Sequence, residues 1–87
     1  MNNKVLKEII QYEGIKTEGL ARLSKIDVEE YQDGIKIKLS VDIKFGNNIP
    51  KVTKELQTII ARELDYMTGI NILAIDIFVK GIVMEKK

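Results

Sequence analysis

"KFGNNIPKVTKEL" (Lys44–Leu56) is where the chain changes its period. Just before it, "IKIKLSVDIKF" (Ile35–Phe45) alternates without a break. Ile35, Ile37, Leu39, Val41, Ile43 and Phe45 share one face, and Lys36, Lys38, Ser40, Asp42 and Lys44 share the other. Successive side chains of a strand point to opposite faces, so this run reads as a strand with one buried and one wet face, which favours an antiparallel hairpin. After it, Ile49, Val52, Leu56, Ile59, Ile60, Leu64 and Met67 recur at steps of three and four, the stripe of an amphipathic helix. The junction holds a glycine, two asparagines and the only proline. Phe45 is expected to close the strand in the core and Gly46 to turn the chain. Pro50 opens the helix where its missing N–H is no loss, and it pushes Ile49 toward extended backbone. Asn48 can accept from a free N–H of the first turn. A glycine-containing loop entering a helix can also cradle phosphate, with Lys44 and Lys51 as nearby cations. Every residue of the junction has a local structural task, however, so the hinge reading is preferred.

The pattern extends outward from this junction. Upstream, "KIDVEEY" (Lys25–Tyr31) alternates, with Ile26 and Val28 opposite Asp27 and Glu29, and "QDG" (Gln32–Gly34) is a hairpin turn signal. Leu20, Ala21 and Leu23 keep no period and fit either a short helical turn or an apolar connector. Asn3–Tyr12 reads as a helix with Val5, Leu6, Ile9 and Ile10 on one stripe, capped by Asn2 or Asn3 and ending near Gly14. Downstream, Gly69 stops the long helix in the left-handed position. "NILAIDIFVKGIVM" (Asn71–Met84) then returns to period two, with Leu73, Ile75, Ile77 and Val79 on one side and Ile72, Ala74, Asp76, Phe78 and Lys80 on the other. The order helix, strand, strand, helix, strand predicts one small α+β domain over residues 1–87: a three-stranded mixed sheet with both helices on one face. The last strand follows the second through a helical crossover and runs parallel to it if the two are adjacent.

Composition narrows the chemistry. Apolar residues make up 45% of the chain and charged residues 31%, with a net charge of +1, so no strong field draws nucleic acid or anionic lipid. There is no cysteine and no histidine, which removes thiolate chemistry, zinc–thiolate sites and the commonest general base. No apolar run has the length of a membrane span, and the start "MNNKVLKEII" lacks a signal-peptide core. A cytoplasmic protein is expected, with no direct membrane insertion.

Three places in the sequence could hold a site. Asp27 and Glu29, two apart on one strand face, offer a weak hard-cation pair, but they are better read as solvated charges facing Lys36 and Lys38 across the hairpin. Neither a metal, a cofactor nor a catalytic residue is expected. "GNNI" (Gly46–Ile49) superficially matches the Gly-x-x-Gly clamp of KH domains, which makes a small RNA-binding module with a KH-like helix–sheet arrangement the alternative function. It lacks the second glycine, and the wet sheet face offers only Phe78 as a stacking platform, with nearly balanced charge, so nucleic acid is disfavoured. The third site is the last strand, whose outward side carries Ile72, Ala74 and Phe78 where polar residues belong. An apolar edge strand invites pairing with another chain, so these three are the expected interface of a homo-oligomer. The competing account has the first helix or the tail "MEKK" (Met84–Lys87) covering them.

The junction also carries a resemblance. "FGNNIPKV" resembles the "YGxNIPxV" signature of the alkaline shock protein family, the envelope-stress group of Gram-positive bacteria that includes the general-stress Gls proteins. Phe45, Gly46, Asn48, Ile49, Pro50 and Val52 match it position by position. "EGLARLS" (Glu18–Ser24) is similar to the family's "EGVAGLS", "MTG" (Met67–Gly69) to its helix ending, and "AIDIFVKGIVM" to its last strand. Arg22 stands in place of a small residue. The usual short N-terminal strand, the glycine-rich insertion and the charged tails are missing, so the chain looks like a minimal member. The resemblance implies a non-enzymatic scaffold or adaptor linked to alkaline or cell-envelope stress, acting by protein–protein interaction and self-assembly. It also implies membrane association through a small membrane-anchored partner, or an accessory role near fatty-acid synthesis.

Overall fold

The computed structural model describes residues 2–84. Helix α1 (Asn3–Gly14) is followed by strands β1 (Leu20–Tyr31) and β2 (Gly34–Lys44), helix α2 (Ile49–Thr68) and strand β3 (Ile72–Val83). The sheet order is β1-β2-β3, antiparallel between β1 and β2 and parallel between β2 and β3. This is the expected α+β arrangement, with β2 at the centre and two edge strands.

The caps follow from local chemistry. Asn2 opens α1, its side chain accepting from Lys4 N at 2.7 Å. Asn48 opens α2 by accepting from Lys51 N at 3.0 Å, with Pro50 in the first turn. Both contacts satisfy an N–H that has no partner within its own helix. Gly69 closes α2 at φ 69°, its N–H donating to Asp65 O at 2.9 Å.

One apolar core fills the space between helices and sheet. Leu6 and Ile10 of α1, Val52, Leu56, Ile60 and Leu64 of α2, and Ile35, Ile37, Leu39, Val41 and Ile43 of β2 are all buried. The α2 set repeats strictly every four residues, which keeps it on one side of the helix. Helix α1 packs on β1 and α2. The central strand is thereby sealed, whereas the inward residues of β3 (Ile72, Ile75, Ile77 and Val79) are only partly buried against the core.

Four expectations need correction. First, Leu20–Ser24 is neither a helical turn nor a connector but the first part of β1. Register irregularities at Leu20/Arg22 and Leu23/Lys25 break the alternation while keeping Leu20 and Leu23 buried. Second, Phe45 does not close the strand in the core. Its N–H donates to Val83 O at 2.8 Å, but its ring is 56% exposed. Third, Ile72 lies on the inward side of β3. It pairs with buried Ile35, and a register shift then pairs Lys36 with Ala74, so Leu73 is the extra residue and is exposed. Fourth, Asp42 sits on the outer face yet is only 7% exposed.

Two glycines make close approaches that a side chain would block. A Cβ on Gly34 (φ 156°) would lie 2.2 Å from the carbonyl oxygen of Asn71. That carbonyl accepts from Ile35 N at 3.0 Å, and Asn71 Nδ2 donates to Asp33 O at 2.9 Å, so the hairpin turn is tied to the start of β3. A Cβ on Gly19 (φ 88°) would lie 2.8 Å from both Asn47 Oδ1 and Val52 Cγ2. With Lys44 N donating to Gly19 O at 2.8 Å, the Glu-Gly segment packs directly on the strand-to-helix junction.

Candidate functional site

No layer of the described chain covers the outer face of the sheet. Its residues form rows across the three strands: Glu29, Lys36 and Ala74; Asp27, Lys38 and Asp76; Lys25, Ser40 and Phe78; Arg22, Asp42 and Gly81. Asp27 and Glu29 stand directly opposite Lys38 and Lys36. Lys38 Nζ lies 3.7 Å from Glu29, and Lys25 Nζ lies 3.7 Å from Asp27. These are exposed pairs that neutralise one another, each worth at most ~1 kcal/mol. Among the described residues no three of His, Cys, Asp or Glu converge as a metal site would require.

Asp42 is the one carboxylate on this face that is withdrawn from water. Arg22 Nη1 lies 3.7 Å from its Oδ2, and the bare backbone of Gly81 makes room for it, since a Cβ there would come within 3.3 Å of Oδ1. The period-two pattern gave no sign of this burial. The only sequence clue was a glycine inside a strand, which often marks a close approach.

The signature residues gather at one end of the sheet. Gly46 (φ 91°) turns the chain with no atom within 4 Å of where a Cβ would stand, Asn48 caps α2, Pro50 lies in its first turn, and Val52 is buried. Ile49 and Phe45 are exposed. Glu18, Asn47, Asn48, Lys51 and Glu55 line a small polar cleft beside this turn. Asn47 Nδ2 is already committed to Lys44 O at 3.1 Å, so the cleft is held by the turn's own hydrogen bonds.

β3 is the unusual element. The expected interface residues split: Ala74 and Phe78 face outward, Ile72 faces inward. Phe78 is 65% exposed, and Leu73 and Ile82 are exposed as well. Asp76 and Lys80 are the only charges in its twelve residues. No described residue shields Phe78, and residues 85–87 of the tail "MEKK" lie outside the described residues.

The backbone of β3 is open too. Ile35 N donates to Asn71 O and Phe45 N to Val83 O, so the odd-numbered residues of β2 turn their backbone groups toward β3. In a parallel ladder the residue directly opposite turns its own groups away. Ile72, Ile75, Ile77, Val79 and Ile82 are those opposite residues, so their N–H and C=O groups point to the free edge. Ile75 O accepts from Gln57 Nε2 of α2 at 2.9 Å.

Comparisons with known proteins bear on the fold and the family. No curated protein matches the chain significantly. Solved structures share the fold at low identity. A copper form of a MamM CTD variant superposes with a TM-score of 0.73 at 7% identity, covering 92% of this chain and 98% of that one. A manganese form of another variant gives 0.71 at 7%, covering 92% and 99%. Identity this low speaks for the fold alone. The alkaline shock protein 23 family, described as having a cell envelope-related function, matches residues 1–84. The resemblance carried by "FGNNIPKV" therefore stands, and the chain belongs to that family.

Proposed function

We propose that this chain is a non-enzymatic scaffold or adaptor of the cell-envelope stress response, and that it acts by docking other protein chains on the free edge of β3. The observation that supports this is the combination at one edge of unpaired backbone groups at Ile77 and Val79 with exposed Phe78 between them. Strand addition uses just these two ingredients: main-chain hydrogen bonds for affinity and alternate side chains for selectivity. The envelope-related character of the family supplies the setting. No helix among the described residues is long and apolar enough to cross a membrane, so attachment to the envelope would run through a small membrane-anchored partner.

The outer face argues against an RNA platform. Lys36 and Lys38 stand opposite Glu29 and Asp27, Lys25 lies 3.7 Å from Asp27, and Phe78 has no aromatic neighbour in its row. Replacing Phe78 with Lys tests the docking reading. The fold should survive, because the ring is exposed, and association with other chains or with envelope fractions should be lost. A variant that associates as the parent does would remove β3 from the account, and salt-sensitive binding of single-stranded RNA by the parent would favour the alternative.

A further inference from the structure

We propose that the end of the sheet carrying the strand-to-helix junction is a contact surface for an anionic lipid bilayer. Phe45 and Met84 enter the headgroup layer there, and lysines set behind them meet phosphate. The chain makes this contact itself, in addition to attachment through a partner and independently of the β3 edge. The described chain measures 45 Å along its long axis and 20 Å across. Strands of eleven and twelve residues run that length, since each residue advances about 3.3 Å. The hairpin turn after Tyr31 is therefore one end of the axis, and the junction after Lys44 is the other.

The junction end is apolar at its tip. Phe45 is 56% exposed, Ile82 48% and Met84 70%. They are neighbours: Ile43 pairs with Ile82, Lys44 pairs with Val83, and Phe45 and Met84 line one shallow cleft with Lys44 and Asn47. Every residue from Lys44 to Pro50 is exposed, Ile49 included. Cations stand just behind this tip. Lys44 and Lys51 flank the turn, Lys54 lies about one helical turn further along α2, and Lys80 precedes Gly81 on β3; all four are exposed. Of the carboxylates at this end, Asp42 and Glu13 are buried beside Arg22 and Lys16, which leaves Glu18 and Glu55 near Lys51. At the hairpin end the balance reverses, with Glu29, Glu30, Asp33 and Asp65 against Lys36 and Lys4. The net charge of +1 hides this polarity. An apolar tip backed by lysines suits the bilayer boundary, where apolar side chains sink below the phosphates and each lysine adds attraction to anionic lipid. The acidic end then points away from the membrane. Standing on this tip also leaves the outer face and the free edge of β3 open to other chains.

The experiment is flotation of the purified full chain with vesicles of phosphatidylcholine, alone or mixed with phosphatidylglycerol. The chain has no tryptophan, so Phe45→Trp places a fluorescent reporter at the tip. Binding is expected on the anionic vesicles only and should fall with added salt. The fluorescence of Phe45→Trp should shift to the blue as the indole enters the boundary. Phe45→Asp and the double variant Lys51→Gln/Lys80→Gln should each lower binding by about tenfold or more. Their circular dichroism should match the parent's, because the replaced side chains are exposed. Phe78→Lys should bind vesicles at least as well as the parent, which separates this contact from the β3 edge. Loss of vesicle binding in Phe78→Lys would move the contact to β3 and overturn the proposal. Binding without a shift in Phe45→Trp would overturn it too, since the tip then stays in water. A parent that binds no anionic vesicle at low salt sinks the lipid contact outright; if Phe45→Asp still reduced association with envelope fractions, the tip would be a protein surface instead.

Discussion

The sheet has two edges, and they are built differently. β1 is bent by two register irregularities, carries Lys25, Asp27 and Glu29 on its outer side, and is backed by α1 on its inner side. β3 has the same length, shows Phe78 and Leu73 to water, and keeps its inner residues only half covered. Bulges and charges are the means by which natural sheets discourage edge pairing. One edge has them along its length. The other has its irregularities only near its ends, at Leu73 and near Lys80, leaving Ala74–Val79 regular between them. The difference shows that an open edge is a local choice made by a few side chains, within one small domain that closes its other edge.

The two edges should respond differently to the loss of core side chains. Leu23→Ala in β1 empties a buried site and should cost about 3 kcal/mol in chemical denaturation. Ile77→Ala in β3 removes a half-buried side chain and should cost about half as much in the monomer. Equal losses would mean that β3 is as well covered as β1, and the contrast would fail.

Gly34→Ala should cost about 2 kcal/mol, because the new methyl group meets the Asn71 carbonyl and must push the start of β3 away from the hairpin turn. Amide exchange should rise first at Ile35 and along β3, while β1 keeps its protection. Faster exchange in β1 would show that the tie holds the hairpin rather than the last strand.

At the strand-to-helix junction the effects are smaller. Asn48→Ala removes the cap on Lys51 N and should lower stability by about 1 kcal/mol. Gly46→Ala should do about the same through its positive φ alone, since nothing stands near the added methyl. Denaturation of the two variants checks both values. If neither change is felt, the signature is not there to set the turn, and the polar cleft beside it gains interest.

Phe78→Lys should have the least effect on stability, within about 0.5 kcal/mol, because the ring lies in water in the monomer. A loss of several kcal/mol would place the ring against something in its own chain and return the shielding account.

Much of this fold was legible because most elements keep a clean period. The strict alternation of Ile35–Ile43, the four-residue repeat from Val52 to Leu64, and the caps Asn48 and Gly69 each follow from one local rule. What could not be read depends on inserted residues and on coverage. The irregularities in β1 hid its first five residues, and the extra residue at Leu73 reversed the face assigned to Ile72. A single added residue flips every side chain beyond it, and no propensity signals where that happens. Phe45 had the right parity for the core but no helix over it, and Asp42 had the wrong parity for burial but a glycine beside it. The outward placement of Phe78 and Ala74 on β3 was readable from their parity alone.

Hydrogen exchange measured at low and high protein concentration compares the two edges in one experiment. The account predicts that the amides of Ile77 and Val79 gain protection as concentration rises, because they enter a ladder with a second copy. The outward amides of β1 should exchange at the same rate throughout. If Ile77 and Val79 exchange freely at every concentration, or if the protection appears along β1 instead, the reading of β3 as an edge that pairs with a second copy fails.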